Sequence, residues 1–229
     1  IDTGAFTLSL DGPVTVLGPL LKEGSGVLEL NGLNTWVTPP FINSGTLRGN
    51  AASLATDILA ERLEFDLLAV AWVEFDQTVD GIYGNRLVGG IALIKSGAGD
   101  LSLDQPNPSN GGTSVVAGTL RLGVNGRIGK GGLDIASGAG FDLSAARTID
   151  SEGKSQAIAL NVGRLQGGGE VVLGANRLIT AIETDTTFDG VISGSGGLTV
   201  NGDSYTNRFQ ITQPQTYVGT TVVDEVTLA

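Results

Sequence analysis

Lys95 to Gly123 reads KSGAGDLSLDQPNPSNGGTSVVAGTLRLG and carries the clearest structural information in the chain. The step from Gly97 to Gly99 lets the backbone take a positive φ without a Cβ penalty, which favours a tight corner. Polar and apolar residues then alternate from Asp100 to Asp104, with the period of a half-buried strand. A polar bend and two further short strands follow. Such a segment predicts one turn of a solenoid and part of the next, because solenoid repeats run roughly 20–45 residues.

The same order of features occurs in two other segments. In the first two segments, the opening and closing glycines have the same spacing, from Gly24 to Gly45 and from Gly97 to Gly118. Equal spacing without a gap indicates the same folding unit. We therefore predict a single elongated domain over residues 1–229 with repeat units at 22–50, 95–123 and 192–228.

Composition restricts the classes of function. Of the 229 residues, 36 are glycine, which suits many tight turns between short strands. The formal net charge of −11 argues against binding to nucleic acid. Cysteine and histidine are absent, which removes disulfides, thiolate metal sites and the usual general base. No apolar run approaches the roughly 20 residues that a membrane span needs. The absence of an initiator methionine and a signal peptide leads us to expect a fragment of a longer protein.

One zone is ambiguous between helix and strand. Between Ala51 and Leu63, the apolar residues fall at helical spacing. The next residues, from Leu63 to Leu67 and from Val70 to Phe75, are strand-like instead. The repeat context favours strands with at most a short helical turn near Leu54, and whether residues 51–64 form a helix is left open.

Several of these motifs resemble the autotransporter-associated β-strand repeat. The matching stretches are Gly24–Leu30, Asn34–Trp36, Gly45–Leu47, Gly118–Leu120, Gly167–Gly174, Phe188–Leu198 and Gln215–Thr221. Two stretches depart from the pattern, since Gln105–Ser109 replaces a Thr-Tyr pair and Asp224–Val226 replaces Ala-Gly. The resemblance implies a passenger domain of a Gram-negative type V secreted protein, at the cell surface or secreted, with its signal sequence and outer-membrane barrel outside this sequence.

The fold that this resemblance implies is all-β: a right-handed parallel β-helix, which is a single-stranded solenoid. At about 20–25 residues a turn, the chain would form roughly ten turns and a rod about 50 Å long. Inward Leu, Ile and Val would form a continuous core.

Glycine-rich steps raise the possibility of ligand loops. Gly97–Gly99 and Gly194–Gly196 could hold a phosphate, but neither precedes a Lys-Ser/Thr pair or a helix, so corners are favoured. Gly97–Leu101 faintly resembles calcium-binding β-roll repeats, but its Asp spacing is off by one and it is not tandem. We predict no cofactor and no metal.

Two sets of side chains could act on or bind a polysaccharide. Catalysis on a polysaccharide needs a cluster of carboxylates. The densest acidic stretch consists of Glu61, Glu64, Asp66, Glu74, Asp76 and Asp80. Alternating solvent-facing positions on strands account for most of these acids without a catalytic role. The aromatics that could stack on sugars are Trp36, Trp72, Tyr83, Tyr205 and Tyr217, although core or corner packing also accounts for them. The adjacent pair Lys154 and Ser155 is a weak candidate for Ser-Lys chemistry. We assign no catalytic residue, and the ligand-binding residues stay unknown.

Two functions from different classes follow. The first is a non-enzymatic stalk or adhesin segment that supports cell adhesion or biofilm formation, with host-cell or bacterial surface molecules, glycans or its own copies as partners. The alternative is a polysaccharide-acting enzyme or a glycan-binding module on the same scaffold, which predicts three or more acidic residues in one groove.

Overall fold

The computed structural model describes residues 1–60, 71–107 and 109–229. Within these ranges the chain forms 29 strands and no helix. The strands are β1 (Thr7–Leu10), β2 (Thr15–Val16), β3 (Leu21–Lys22), β4 (Val27–Leu30), β5 (Thr35–Trp36), β6 (Phe41–Ile42), β7 (Gly45–Gly49), β8 (Ile58–Ala60), β9 (Ala71–Asp76), β10 (Gly81–Tyr83), β11 (Leu87–Val88), β12 (Ile91–Ser96), β13 (Leu101–Leu103), β14 (Thr113–Val115), β15 (Thr119–Leu122), β16 (Leu133–Ile135), β17 (Gly140–Asp142), β18 (Thr148–Ile149), β19 (Ser155–Gln156), β20 (Ala159–Val162), β21 (Leu165–Gly167), β22 (Glu170–Val172), β23 (Arg177–Ile182), β24 (Thr186–Phe188), β25 (Val191–Ser193), β26 (Leu198–Gly202), β27 (Arg208–Ile211), β28 (Thr221–Asp224) and β29 (Thr227–Leu228).

The strands stack into a parallel β-solenoid of about 11 turns. One sheet, here called the long sheet, contains 11 strands in chain order: β1, β4, β7, β9, β12, β14, β16, β21, β24, β27 and β29. Ten steps of about 4.8 Å between neighbouring strands make the stack about 48 Å long. The predicted all-β parallel solenoid is confirmed, with about 11 turns where roughly ten were predicted.

Two further faces complete each turn. Strands that follow the long sheet form the second face, with β2 and β5 near the N-terminal end and β10, β13, β15, β17, β22 and β25 beyond them. Strands that precede the long sheet form the third face, with β3, β6, β8 and β11 in one sheet and β20, β23, β26 and β28 in another. The cross-section therefore has three sides joined by corners.

The length of a turn varies along the stack. In most turns, paired positions of the long sheet are separated by about 20 residues, the lower end of the usual range for solenoid repeats, as for Thr113 and Leu133. Leu133 pairs with Leu165, so that turn is markedly longer. It contains a pair of antiparallel strands, β18 and β19, which the sequence patterns did not predict. Such an inserted hairpin is tolerated because it leaves the stacked strands on either side in register.

Alternation places apolar side chains inside the solenoid. In β9, Val73 and Phe75 are fully buried, and their sequence neighbours are only partly buried or exposed. The ring of Phe75 lies 4.8 Å from that of Tyr83, the next strand's inward aromatic. The interior is therefore one continuous apolar core that follows the axis, as the period-2 patterns predicted.

Buried amides close the backbone hydrogen bonds where strands end. Asn176 is fully buried; its Oδ1 accepts a hydrogen bond from the Ile158 amide at 2.9 Å, and its Nδ2 donates to the Leu143 carbonyl at 2.5 Å. Asn107 does the same between the Leu87 amide and neighbouring carbonyls. These amides satisfy corner groups that no strand ladder reaches.

The ambiguous zone begins with a single hydrogen-bonded turn. The Leu54 amide donates to the Asn50 carbonyl at 2.9 Å, and strand β8 begins shortly afterwards at Ile58. Residues 61–64, the end of the possible helix, lie outside the described residues.

Candidate binding groove

The acidic residues singled out in the sequence do not converge in the described structure. Glu74 lies on the outer side of the long sheet, where Arg48 and Ser96 donate to its two oxygens at 2.8 Å. Asp76 is exposed at the end of β9, and Asp80 accepts a hydrogen bond from a backbone amide in the next corner. The candidates Glu61, Glu64 and Asp66 lie outside the described residues.

Across residues 1–60, 71–107 and 109–229, no three His, Cys, Asp or Glu side chains are grouped so as to hold a metal ion.

The five aromatic candidates have different environments. Tyr83 is fully buried and donates to the Thr56 carbonyl at 2.6 Å. Burial raises the pKa of Tyr83 well above the usual range of a phenol. Trp36 and Tyr217 pack against the core, whereas Tyr205 is exposed at a corner. Trp72 is partly exposed on the long sheet and lines a groove.

The glycine steps lie at corners. Gly97 and Gly194 both have positive φ, and each is followed by a strand, not by a helix. The Lys154 ammonium pairs with Glu152 at 2.7 Å in the exposed hairpin, so it is not directed at Ser155 as a base would be.

Two buried lysines make the same kind of hydrogen bonds at two corners of the solenoid. The Lys95 ammonium donates to the carbonyls of Ser96, Gly97 and Ala117 at 2.8, 2.8 and 2.9 Å. Lys95 is fully buried. Burial lowers its pKa, and nearby aspartates partly offset this effect. The third carbonyl belongs to the following turn, so one side chain joins two successive turns of the solenoid.

Lys22 repeats this arrangement in the first segment. Its ammonium donates to the carbonyls of Glu23, Gly24 and Ser44 at 2.8, 2.8 and 3.0 Å. In both corners the third carbonyl belongs to the residue 22 positions after the lysine, Ser44 or Ala117, and a glycine follows that residue directly. A Cβ on that glycine, Gly45, would lie 2.7 Å from the Lys22 ammonium. The equal glycine spacing in the two segments thus reflects the stacking of one corner on another.

The outer surface of the long sheet carries a groove with a volume of about 760 Å³. One column of positions runs along it. Trp72 pairs with Ala92, and the column continues through Gly112, Gly132 and Arg164, each of which directly precedes a paired strand residue and accepts a hydrogen bond from the strand before it. The side chains are therefore small or absent at Ala92, Gly112 and Gly132, which lie between the indole of Trp72 and the guanidinium of Arg164. Four strand steps separate these two ends, which corresponds to about 19 Å.

A second column forms one side of the groove. Its members are Ile94, Ser114, Asp134 and Gln166, which pair in that order. The Gln166 Nε2 donates to Asp134 Oδ2 at 2.7 Å, which fixes both side chains. The wall thus offers an apolar surface, a hydroxyl and an amide-carboxylate pair to a molecule in the groove.

Two cations line the groove and form no ion pair with a described carboxylate, and the acidic side chains Asp134 and Glu183 line it as well. Arg164 and Lys130 line it and are both exposed. Within the described ranges, every ion pair shorter than 4.0 Å is formed by other side chains. A Cβ built on Gly132 would lie 3.4 Å from Arg164 Cγ, so the stem of this arginine extends over the glycine floor.

Sequence reasoning found Trp72 but missed the other groove residues. Trp72 and Arg164 are far apart in the sequence. They lie in one column only because of the lengths of the four turns between them, which a local sequence pattern does not reveal. The paired glycines before β14 and β16 were a usable signal, because side chains are absent there at the same place in successive turns.

Comparison with known proteins agrees with the architecture. The chain is 29% identical over 203 residues to the Adhesin BmaC autotransporter of Brucella suis biovar 1 (strain 1330). This sequence match and the parallel β-solenoid point in the same direction. The chain fits an autotransporter passenger domain. The resemblance predicted from the repeats is thereby confirmed.

The match with this autotransporter covers 88% of the present chain and 6% of the adhesin. No protein-family model matches the chain, and no solved structure matches it. In the ranges that the structure describes, no helix has the length and apolar character needed to cross a bilayer.

Proposed function

We propose that this chain is a non-enzymatic segment of a surface-displayed adhesin, which supports attachment to host-cell or bacterial surface molecules or to its own copies. The observation that carries the proposal is the unbroken order of the long sheet, in which all 11 strands pair in parallel along one axis. A stack of this kind is a stiff scaffold of about 48 Å that presents a lateral surface to partners. Biofilm formation is one setting in which such contacts act.

The similarity to an autotransporter named as an adhesin supports this role. The aligned region is a small part of that protein, so the proposal concerns what this segment contributes. A solenoid can contribute by contact, by spacing, or by both.

Two observations support a non-enzymatic role. Histidine is absent from the sequence, so the usual general base is missing. The acidic side chains Glu74 and Asp100 are bound by Arg48 and Arg121 on neighbouring strands, which is a structural use of their charge. The release of reducing or unsaturated ends from a panel of neutral and uronate polysaccharides would contradict this part of the proposal.

Attachment can be tested with the purified chain. Microspheres coated with the chain are expected to bind cultured host cells or bacteria, or to cluster with each other, more than microspheres coated with chain unfolded by heat. Since adhesion requires the folded lateral surface, circular dichroism of the coating protein must show a β spectrum. Coated spheres that bind neither cells, glycans nor each other would eliminate adhesion and leave only a spacer role.

A further inference from the structure

We propose that the groove on the long sheet binds an extended glycan with widely spaced acidic sugars, with one sugar on Trp72 and a carboxylate at Arg164. This inference rests on the proposed adhesive function and names the ligand class of that segment. Nothing in the comparisons assigns a ligand to this surface.

The indole supplies the first contact. Trp72 is partly exposed on the outward side of β9, next to Ala92 in register. Ala92 has only 3% of its surface exposed, so the indole meets a flat, small neighbour instead of a bulky one. A fixed aromatic face beside a shallow floor suits the apolar face of a pyranose ring.

The floor sets the shape of the ligand. Gly112 and Gly132 continue the column beyond Ala92, so the depression runs parallel to the axis for about 19 Å between its two ends. A long, narrow and open groove accommodates a linear chain of sugars better than a compact metabolite.

The charged groups select among glycans. Arg164 and Lys130 offer guanidinium and ammonium donors, and the Asp134–Gln166 pair offers a fixed acceptor and donor for hydroxyls. The exposed Glu183 carboxylate lines the same groove and opposes a ligand with closely spaced acids. The net charge of −11 repels dense polyanions. Isolated carboxylates on an otherwise neutral chain avoid that repulsion and still pair with Arg164.

A glycan explains the groove better than a peptide does. Extended peptides bind sheets by pairing with a free edge strand. The groove lies over β9, β12, β14, β16 and β21, and each of these strands pairs with neighbours on both sides within the long sheet. No ladder is offered to a peptide there, so recognition must depend on side chains.

The test compares two hexasaccharides by titration calorimetry. Hyaluronan hexasaccharide carries one carboxylate per disaccharide, and chitin hexasaccharide is neutral. Trp72→Ala is expected to weaken both by about tenfold, the size of one aromatic contact. Arg164→Gln is expected to weaken hyaluronan by about tenfold or more and to leave chitin unchanged.

A filling variant locates the site. Gly132→Leu places a side chain on the groove floor, where its Cβ would lie 3.4 Å from Arg164 Cγ and 3.6 Å from the Arg164 carbonyl oxygen, the second being an ordinary van der Waals contact. It is expected to abolish binding of both sugars. Gly84→Leu is the matched control, because a Cβ there meets nothing within 4 Å and lies on another part of the surface. Tyr205→Ala serves as the aromatic control, and thermal unfolding verifies that each variant is folded.

The outcomes separate the two proposals. Microspheres that attach to cells while neither sugar binds would overturn the glycan site and retain adhesion. Groove-dependent sugar binding without any attachment would retain the site and overturn the adhesive role. Sugar binding that Arg164→Gln and Gly132→Leu leave intact, or groove-dependent binding of a polypeptide alone, would also overturn the glycan proposal.

Discussion

Replacing Lys95 with methionine tests how the solenoid corners are stabilised. Methionine keeps a long aliphatic stem but removes the ammonium that three carbonyls accept from. The Ser96 carbonyl also accepts from the Gln77 amide at 2.9 Å. Within the described residues, the carbonyls of Gly97 and Ala117 have no such second donor. Lys95→Met therefore leaves two part-buried acceptors without a donor from the protein.

The magnitude follows from the two orphaned carbonyls. A fully buried acceptor without a partner costs about 1–3 kcal/mol, and these part-buried carbonyls lie toward the lower end, so the pair costs about 2–4 kcal/mol. Removing a buried ammonium also removes its desolvation penalty, which offsets part of this cost and leaves an expected net loss of about 1–3 kcal/mol. With an unfolding entropy of about 2.1 cal/mol/K per residue over 229 residues, the melting temperature should fall by roughly 2–6 °C.

The chain supplies a natural control for this experiment. The third segment, ISGSG, has Ile192 where the other two have lysine, and Ile192 is fully buried. Ile192→Met should cost less than about 1.5 kcal/mol, because it only reshapes apolar packing. Lys22→Met should cost less than Lys95→Met, because the Glu23 and Gly24 carbonyls keep second donors in the Thr3 amide and the Ser44 hydroxyl. The two losses should add because the corners share no contacts.

Thermal and guanidinium unfolding followed by circular dichroism provides the measurement. A Lys95→Met variant that melts at or above the wild-type temperature, with Ile192→Met unchanged, would refute the reasoning. In that case the cost of burying the ammonium would exceed the value of its three hydrogen bonds.

Three further predictions concern other contacts. Burial raises the pKa of Tyr83, so folding favours the neutral phenol. The contribution of Tyr83 to stability should be constant below about pH 10 and fall above it, and Tyr83→Phe should remove that part of the slope in denaturant titrations between about pH 8 and 11. Asn176→Ala should cost about 2–4 kcal/mol, and the Ile158 amide should exchange its hydrogen faster, because that buried donor loses its acceptor. Arg121→Gln breaks pairs of 2.7 and 2.6 Å to two aspartates, but Arg121 is 47% exposed, so the loss should stay below about 1 kcal/mol and shrink in high salt. A loss at Arg121 several times larger than this limit, or an unchanged slope in Tyr83→Phe, would contradict the corresponding argument.

Much of the fold could be predicted from short patterns. Alternation in Leu101–Leu103 and Leu133–Ile135 predicted strands that the structure contains, because a period of two is a local property. The inserted hairpin β18–β19 was not predicted, since its strand residues are all exposed and carry no apolar period. Among the candidate acids, Glu74 forms an ion pair with Arg48, a partner that lies on another turn and that its local sequence does not reveal.

The amino-acid sequence alone determined the period of the solenoid and the chemistry of its corners. Glycine supplies the positive φ, and lysine at a fixed distance before the next glycine joins two turns. Tertiary structure alone decided where these units lie. The corner after Lys22 leads from the third face to the long sheet, and the corner after Lys95 leads from the long sheet to the second face. The corner after Ile192 leads from the second face to the third face. The corner conformation is local, whereas its face and the column that joins Trp72 to Arg164 depend on turn lengths accumulated along the whole stack.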